Sequence, residues 1–234
     1  MVSTATGFVL AYVKVLPATQ FISESVCSWL LIRLGLPTPE PLWVQVHRQV
    51  LPGSRAWQKG EQDRICFATR ALPAQTLLRV MGRNPTALQQ LAKWEHAFPA
   101  GIFDELVAND DRGPDNVLTD GRGRYWLIDH NHAFGSDRWT PEWLRDNTFP
   151  IFSNRLLEVL AGTPANQRLK LGSEAPSFCA KFVNVLKGLP LPEIVKDSRQ
   201  RKAVDSFLAR RAKSLVEMTR DRLGLKELPF SQQQ

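Results

Sequence analysis

The residues of this chain best suited to chemistry lie in one stretch, NDDRGPDNVLTDGRGRYWLIDH at 109–130. Asp111 and Asn116 stand five residues apart, and Asp129 follows Asn116 by thirteen. Between the last two lie an apolar strand, an Asp120-Gly121 turn and a second apolar strand ending at Ile128. That pattern predicts a hairpin over 116–128, which returns Asp129 to the neighbourhood of Asn116. Two carboxylates and a carboxamide gathered in this way offer oxygen ligands to a hard divalent cation. They also offer a proton acceptor beside it. The chemistry of such a clamp is the handling of phosphate.

Asp, Asn, Gly and Pro are turn residues in any case, so Asp111 or Asn116 alone would read as a cap before a strand. The full spacing through Asp129 is what points to a site. Phosphoryl transfer needs positioning, metal ions and charge neutralisation more than covalent chemistry. Asp111 is suited to accept the proton of an attacking hydroxyl, while Asn116 and Asp129 are suited to hold Mg2+. Arg112 would position the loop or neutralise charge nearby. A lysine on an N-terminal strand should then reach the phosphates, with a helix carboxylate to hold it. Lys14 and Glu24, ten residues apart, fit a strand and the helix that follows.

The elements that must place these groups are legible from periodicity and punctuation. FVLAYVKVL at 8–16 predicts a strand ended by Pro17, and residues 20–34 predict a helix stopped by Gly35 and Pro37. LWVQVH at 42–47 and ICFAT at 65–69 predict strands, with a polar loop over 48–64. Asn84-Pro85 looks like an N-cap and a first-turn proline. Helices are predicted over 85–97 and 101–108 before the hairpin, and over 153–161, 164–170, 175–187 and 198–223 after it. FSQQQ at the C-terminus reads as a frayed tail. The expectation is an α+β, two-lobed chain: a small strand-rich part over 1–73 and a larger, mostly helical part over 74–234. A cleft between lobes is a usual place for a ligand.

The bulk properties set the class. The 234 residues are 43% hydrophobic and 23% charged, with seven Trp and twelve Phe, which is globular composition. No apolar run approaches the roughly 18 residues of a membrane span. The N-terminal MVSTATGFVLAYVKV lacks a basic leader segment, and Lys14 interrupts its apolar run, so a signal peptide is not expected. Three scattered cysteines, Cys27, Cys66 and Cys179, suit a reduced cytoplasm better than a disulfide framework or a zinc site. The net charge of +7 favours anionic partners. Late in the chain, however, Arg and Lys alternate with Asp205, Glu217 and Asp221, as on a solvated helix face, and direct nucleic-acid binding is not expected.

At these residues the chain resembles the protein-kinase-like superfamily. The pattern Asp111-Arg112-x-x-x-Asn116 with Ile128-Asp129 is similar to its catalytic and metal-binding loops. ISESVCSWLLIRLGLPTPE, FDELVANDDRGPDNVL and YWLIDHNHAFG most resemble the short HipA-like kinases, and DRGPDN is also similar to the catalytic loop of phosphoinositide lipid kinases. The motifs span residues 8–135. The resemblance implies a two-lobed kinase fold, ATP and Mg2+, with Asp111 as base and Asn116 and Asp129 as metal ligands. Lys14 would contact phosphates and Glu24 would orient it. Thr69, Arg70, Ala71 and Leu72 would form the hinge for adenine. It further implies a serine or threonine hydroxyl on a protein as acceptor, and a DNA-binding antitoxin as the type of partner some members have.

Three features depart from the family pattern. No glycine-rich phosphate loop precedes Lys14, only Ser3, Thr4, Thr6 and Gly7. His130-Asn131 follows the metal aspartate where eukaryotic protein kinases carry Phe-Gly. Gly113-Pro114 occupies the middle of the catalytic loop, where many kinases carry Lys or His, so a charge on the γ-phosphate is missing unless Arg112 substitutes. His130 and His132 beside Asp129 also raise a transition-metal reading, although packing within the loop suits them better. Two further functions stay open: a pseudokinase that binds without transferring, and a lipid or small-molecule kinase.

Overall fold

A computed structural model describes residues 1–5, 7–53, 57–82, 84 and 86–225. Thr6, Pro85 and the terminal FSQQQ, on which three of the expectations above rest, lie outside the described residues. The N-terminal region is strand-rich. A hairpin of β1 (Val2–Thr4) and β2 (Gly7–Val9) is followed by β3 (Ala11–Lys14). With β4 (Pro41–His47) and β5 (Asp63–Arg70), β3 forms an antiparallel sheet in the order β3-β5-β4. The strand predicted over 8–16 is therefore broken at Leu10, and Lys14 lies at the end of the third strand rather than the first. On one face of this sheet Val46, Trp57 and Cys66 form a small separate core.

Helix α1 (Ala18–Leu34) begins and ends close to expectation, closed by Gly35 in the left-handed conformation at φ 73°. Its burial is less ordinary. Ile22, Val26, Cys27, Leu30 and Leu31 are buried, but so are Ser23, Glu24, Ser25 and Ser28 between them. A helix buried on polar and apolar positions alike is enclosed on several sides, and each polar group then needs a partner. Ser25 accepts the Trp43 indole N–H from the sheet at 3.1 Å, and Ser23 accepts that of Trp139 from the helical part at 3.1 Å. Past the helix, Leu127 N–H donates to Pro37 O at 2.9 Å and Thr38 Oγ1 donates to Leu127 O at 3.0 Å. The segment after α1 is thus fastened to the strand that leads to Asp129.

The helical part opens with β6 (Gln75–Thr76) and α2 (Leu77–Met81), neither of which the sequence announced. Residues 88–93 form a 3-10 segment where a longer helix was expected. Helix α3 (Ala97–Val107) is buried along nearly its whole length and is the axis of the main core. It packs against α5 (Arg155–Ala161), α6 (Ala165–Leu186) and α8 (Ser198–Arg222). The expected hairpin forms as β7 (Val117–Thr119) and β8 (Tyr125–Leu127), in register Val117 to Leu127, with β6 on the outer side of β7. Short helices α4 (Pro141–Asp146) and α7 (Leu191–Ile194) complete the part. No helix among the described residues is long and apolar enough to cross a membrane.

One helix corrects the sequence reading in a telling way. Residues 164–170 and 175–187 were expected as two helices, but α6 runs unbroken with Pro176 inside it. A proline removes the hydrogen bond to the carbonyl four residues back. That carbonyl, Gly172 O, accepts Arg220 Nε from α8 at 3.2 Å instead. A neighbouring helix thus supplies the donor that the chain lacks.

The deepest polar tie of the helical part is Arg211 of α8, 1% exposed. Its guanidinium donates to Glu105 O, to Leu106 O at 3.0 Å and to Thr148 O at 2.8 Å. Burial pushes its pKa down to about 10, against the pull of the Glu105 carboxylate. Arg211→Ala strands these carbonyls in the core, so we expect a loss of roughly 3–5 kcal/mol in urea unfolding. A loss below about 1 kcal/mol would contradict the packing described.

Candidate active site

The catalytic-loop candidates are held by a network that starts two turns upstream. Asp104, on α3, is fully buried among apolar neighbours. It accepts Asn109 Nδ2 at 2.8 Å and both Arg112 Nε and Nη2, at 3.0 and 2.9 Å. Arg112, itself 1% exposed, extends Nη1 to Asn116 O at 2.9 Å and to Ile128 O at 3.0 Å. One buried guanidinium therefore joins the loop of Asp111 to the strand exit of Asp129. Both partners are charged and hydrogen-bonded on every side, the condition under which a buried ion pair is tolerated. Ile128 N–H also donates to Asn116 O at 3.2 Å.

Asn116 is 5% exposed and turns its amide nitrogen to Asp111, 2.9 Å from Oδ2 and 2.5 Å from the backbone oxygen. That orientation leaves its amide oxygen without a hydrogen bond among the described residues. Asp129 follows Ile128 with φ 56°, a left-handed backbone that Asp tolerates better than most residues. Its Oδ1 is buried with no aligned hydrogen bond, although Lys14 Nζ stands 3.0 Å away at ion-pair distance. The amide oxygen of a buried asparagine and a buried carboxylate oxygen, neither of which accepts a hydrogen bond among the described residues, fit a hard cation such as Mg2+.

The third part comes from the N-terminal region. Lys14 Nζ lies 2.5 Å from Glu24 Oε1 on α1, and Glu24 Oε2 accepts His130 N–H at 3.1 Å. Burial opposes the charge on Glu24 more strongly than any other influence. The His130 and Lys14 contacts together outweigh it and hold the carboxyl down at about 2. For Lys14 burial again acts against the charge, and Glu24 and Asp129 overcome it, raising the pKa above the usual lysine value. Burial lowers the His130 pKa, with the Arg112 charge acting the same way. The His130 ring stacks edge-on to Phe103 inside the core, and His132 is half-buried in the same loop.

Lys14, Glu24 and Asp129 line a cleft of about 420 Å³ between the two parts. Thr69, Arg70 and Leu72 line it as well. Ala71 does not, and its N–H is bonded to Leu10 O at 2.9 Å. Arg70 N–H is bonded to Glu40 O at 2.9 Å, while Leu72 N–H has no hydrogen-bond partner among the described residues. Tyr12, Phe67, Thr38, Gln75 and Arg79 also face the cleft, and sequence reasoning had not singled them out. Nor had it found Asp104, whose one signal was a carboxylate within an apolar helix. Among the described residues Ser3, Thr4 and Gly7 lie outside the cleft lining; the hairpin register pairs Thr4 with Gly7.

Small strand-rich region, helical part, and a charged cleft between them define a kinase-like fold. The same fold is found in the crystal structure of the Helicobacter pylori proinflammatory kinase CtkA, which aligns with a TM-score of 0.56. The identity is 14%, over 92% of this chain and 90% of that one. A family model described as HipA-like kinase matches residues 9–223, and the chain belongs to that family. No curated protein matches the chain.

The Glu24 carboxyl is depressed by folding, so its contribution to stability is present above its ordinary pKa near 4.5 and is lost as pH falls toward about 2. In urea titrations, wild type should exceed Glu24→Gln by on the order of 3 kcal/mol near neutral pH. The gap should narrow between pH 4.5 and 2. A constant gap would mean that Glu24 is not held as an ion.

Proposed function

We propose that the chain is an ATP-dependent kinase that transfers the γ-phosphoryl group to a serine or threonine hydroxyl of a protein. Residues 1–73 and 74–234 act as the two lobes of one catalytic domain. The observation that carries this reading is the Lys14 ammonium held between Glu24 and Asp129 at the floor of the cleft, at 2.5 and 3.0 Å. Family membership supports phosphotransfer in general, and the protein acceptor rests on the family resemblance.

Each residue then has a task. The adenine lies against Thr69, Arg70 and Leu72, with Leu72 N–H as its backbone donor. Lys14 binds the α- and β-phosphates, and Glu24 keeps it extended into the cleft. Asn116 Oδ1 and the Asp129 carboxylate would hold Mg2+, which would supply neutralisation of phosphate charge. Asp111, oriented by Asn116 Nδ2, takes the proton of the acceptor hydroxyl as its oxygen bonds to the γ-phosphorus. The bond from that phosphorus to the bridging oxygen breaks, and ADP leaves. Arg112 acts through position alone, because its guanidinium is committed inside the loop. A DNA-binding antitoxin is the kind of regulatory partner the family would suggest.

A second reading is a nucleotide-binding module without transfer. It is favoured by the β1–β2 hairpin, whose described residues lie outside the cleft lining and so give the phosphates little cover. Transfer of labelled γ-phosphate to acceptor proteins identified by mass spectrometry separates the two. We expect transfer by wild type and a fall of about 1,000-fold or more in Asp111→Ala. ATP binding without any transfer would favour the module.

Asp129→Ala should abolish the Mg2+-dependent part of the thermal shift that ATP produces, since ligand bound to the native state alone raises its stability. Lys14→Met should weaken ATP binding while the chain stays folded. An unchanged ATP shift in Asp129→Ala with Mg2+ present would remove that residue from the metal site.

A further inference from the structure

On the kinase reading, the catalytic loop presents no uncommitted cation to the transferred phosphoryl group among the described residues. Gly113, two residues after Asp111, has no side chain, and Arg112 is turned inward onto Asp104, Asn116 O and Ile128 O. A side chain grown on Gly113 would begin 3.5 Å from Arg155 Nη1, a residue 42 positions away at the start of α5. We propose that Arg155 supplies the missing charge, its guanidinium reaching the γ-phosphoryl group from beside the space that a side chain at 113 would enter. The inference rests on the kinase reading above and adds a catalytic residue to it.

Arg155 is free for such a contact. It is exposed, and among the described residues it has no hydrogen-bond or ion-pair partner. The acid one turn along α5, Glu158, is already engaged by Ser153 Oγ at 2.8 and 2.9 Å. The Asp115 carboxylate also folds over Gly113, with Oδ1 2.2 Å from where that first side-chain atom would stand, yet it forms no ion pair with Arg155.

Arg155 is also well placed by its surroundings. The residue before it, Asn154, is fully buried and caps α5 by accepting Leu157 N–H at 3.2 Å. The same side chain donates to Gly101 O at 2.9 Å and to Glu105 Oε2 at 3.0 Å, both on α3. Leu156 and Leu157, next along the helix, are buried in the main core. The base of Arg155 is thereby fixed relative to α3, the helix that leads into the catalytic loop. A guanidinium held there presents a planar set of donors suited to phosphate oxygens. During transfer it keeps its proton and stabilises the charge spread over the equatorial oxygens.

The test compares nucleotides as well as rates. Calorimetry with Mg2+ present should show Arg155→Ala losing about tenfold in ATP affinity while ADP affinity stays within about twofold, because only ATP carries the γ-phosphate. Transfer by Arg155→Ala should fall about 100-fold in kcat, with Arg155→Lys retaining part of the rate. Gly113→Lys in the Arg155→Ala background should restore about tenfold or more, since Gly113 has an ordinary backbone at φ −85° and the exposed Asp115 side chain is able to swing aside. An unchanged preference for ATP over ADP, or wild-type transfer by Arg155→Ala, would overturn the proposal. A wild type that binds neither nucleotide would sink the kinase reading itself and this inference with it. If wild type binds ATP without transfer, the ATP-to-ADP comparison alone decides.

Discussion

A carboxylate buried to 1% exposure in the middle of a helix is the constraint around which this molecule is arranged. Removing Glu24 from water is costly unless the charge is paired and both oxygens are satisfied. Lys14 answers one oxygen from the end of β3, and the His130 amide answers the other from the loop after β8. Three segments distant in sequence are therefore obliged to meet at one side chain. The flanking serines repeat the pattern with neutral partners, Ser25 to Trp43 of the sheet and Ser23 to Trp139 of the helical part. Helix α1 thus sets the distance between the two sides of the cleft.

A second buried charge does the same for the far side. Arg112 has an ion pair with Asp104 and reaches two carbonyls, one from the loop of Asp111 and one from the approach to Asp129. The two networks are joined through Asp129, whose neighbours on either side, Ile128 and His130, are bonded to Arg112 and Glu24 respectively. Oxygen atoms are left over from both: Asp129 Oδ1, in the lining of the cleft that Lys14 also lines, and the amide oxygen of Asn116 behind it in the loop. That remainder is what suits the site to a metal and phosphates.

Much of this was legible in the chain. The hairpin from Val117 to Leu127 was readable because alternating apolar residues and an Asp-Gly turn are local signals, and it brings Asp129 to Asn116 whatever the rest does. Lys14 and Glu24 were readable as a pair because their ten-residue spacing permits a return from strand to helix, and because the loop residues called for a lysine and a helix carboxylate. Alone the two are a weak signal. Long-range compensation was not readable. Pro176 looks like a helix break until Arg220 is seen to bond Gly172 O. Arg112 looks like a free cation until Asp104 is found beneath it. The β1–β2 hairpin and β6 are two or three residues per strand, too short to leave a period.

The central claim is that Asn116, Asp129 and Lys14 surround one metal-bound triphosphate. A crystal structure with Mg2+ and a non-hydrolysable ATP analogue tests it most directly. The account predicts a cation about 2.1 Å from Asn116 Oδ1 and an Asp129 carboxylate oxygen, with the phosphates beside Lys14 and the base against Thr69 to Leu72. A nucleotide bound outside this cleft, or a cation that touches neither side chain, would contradict it.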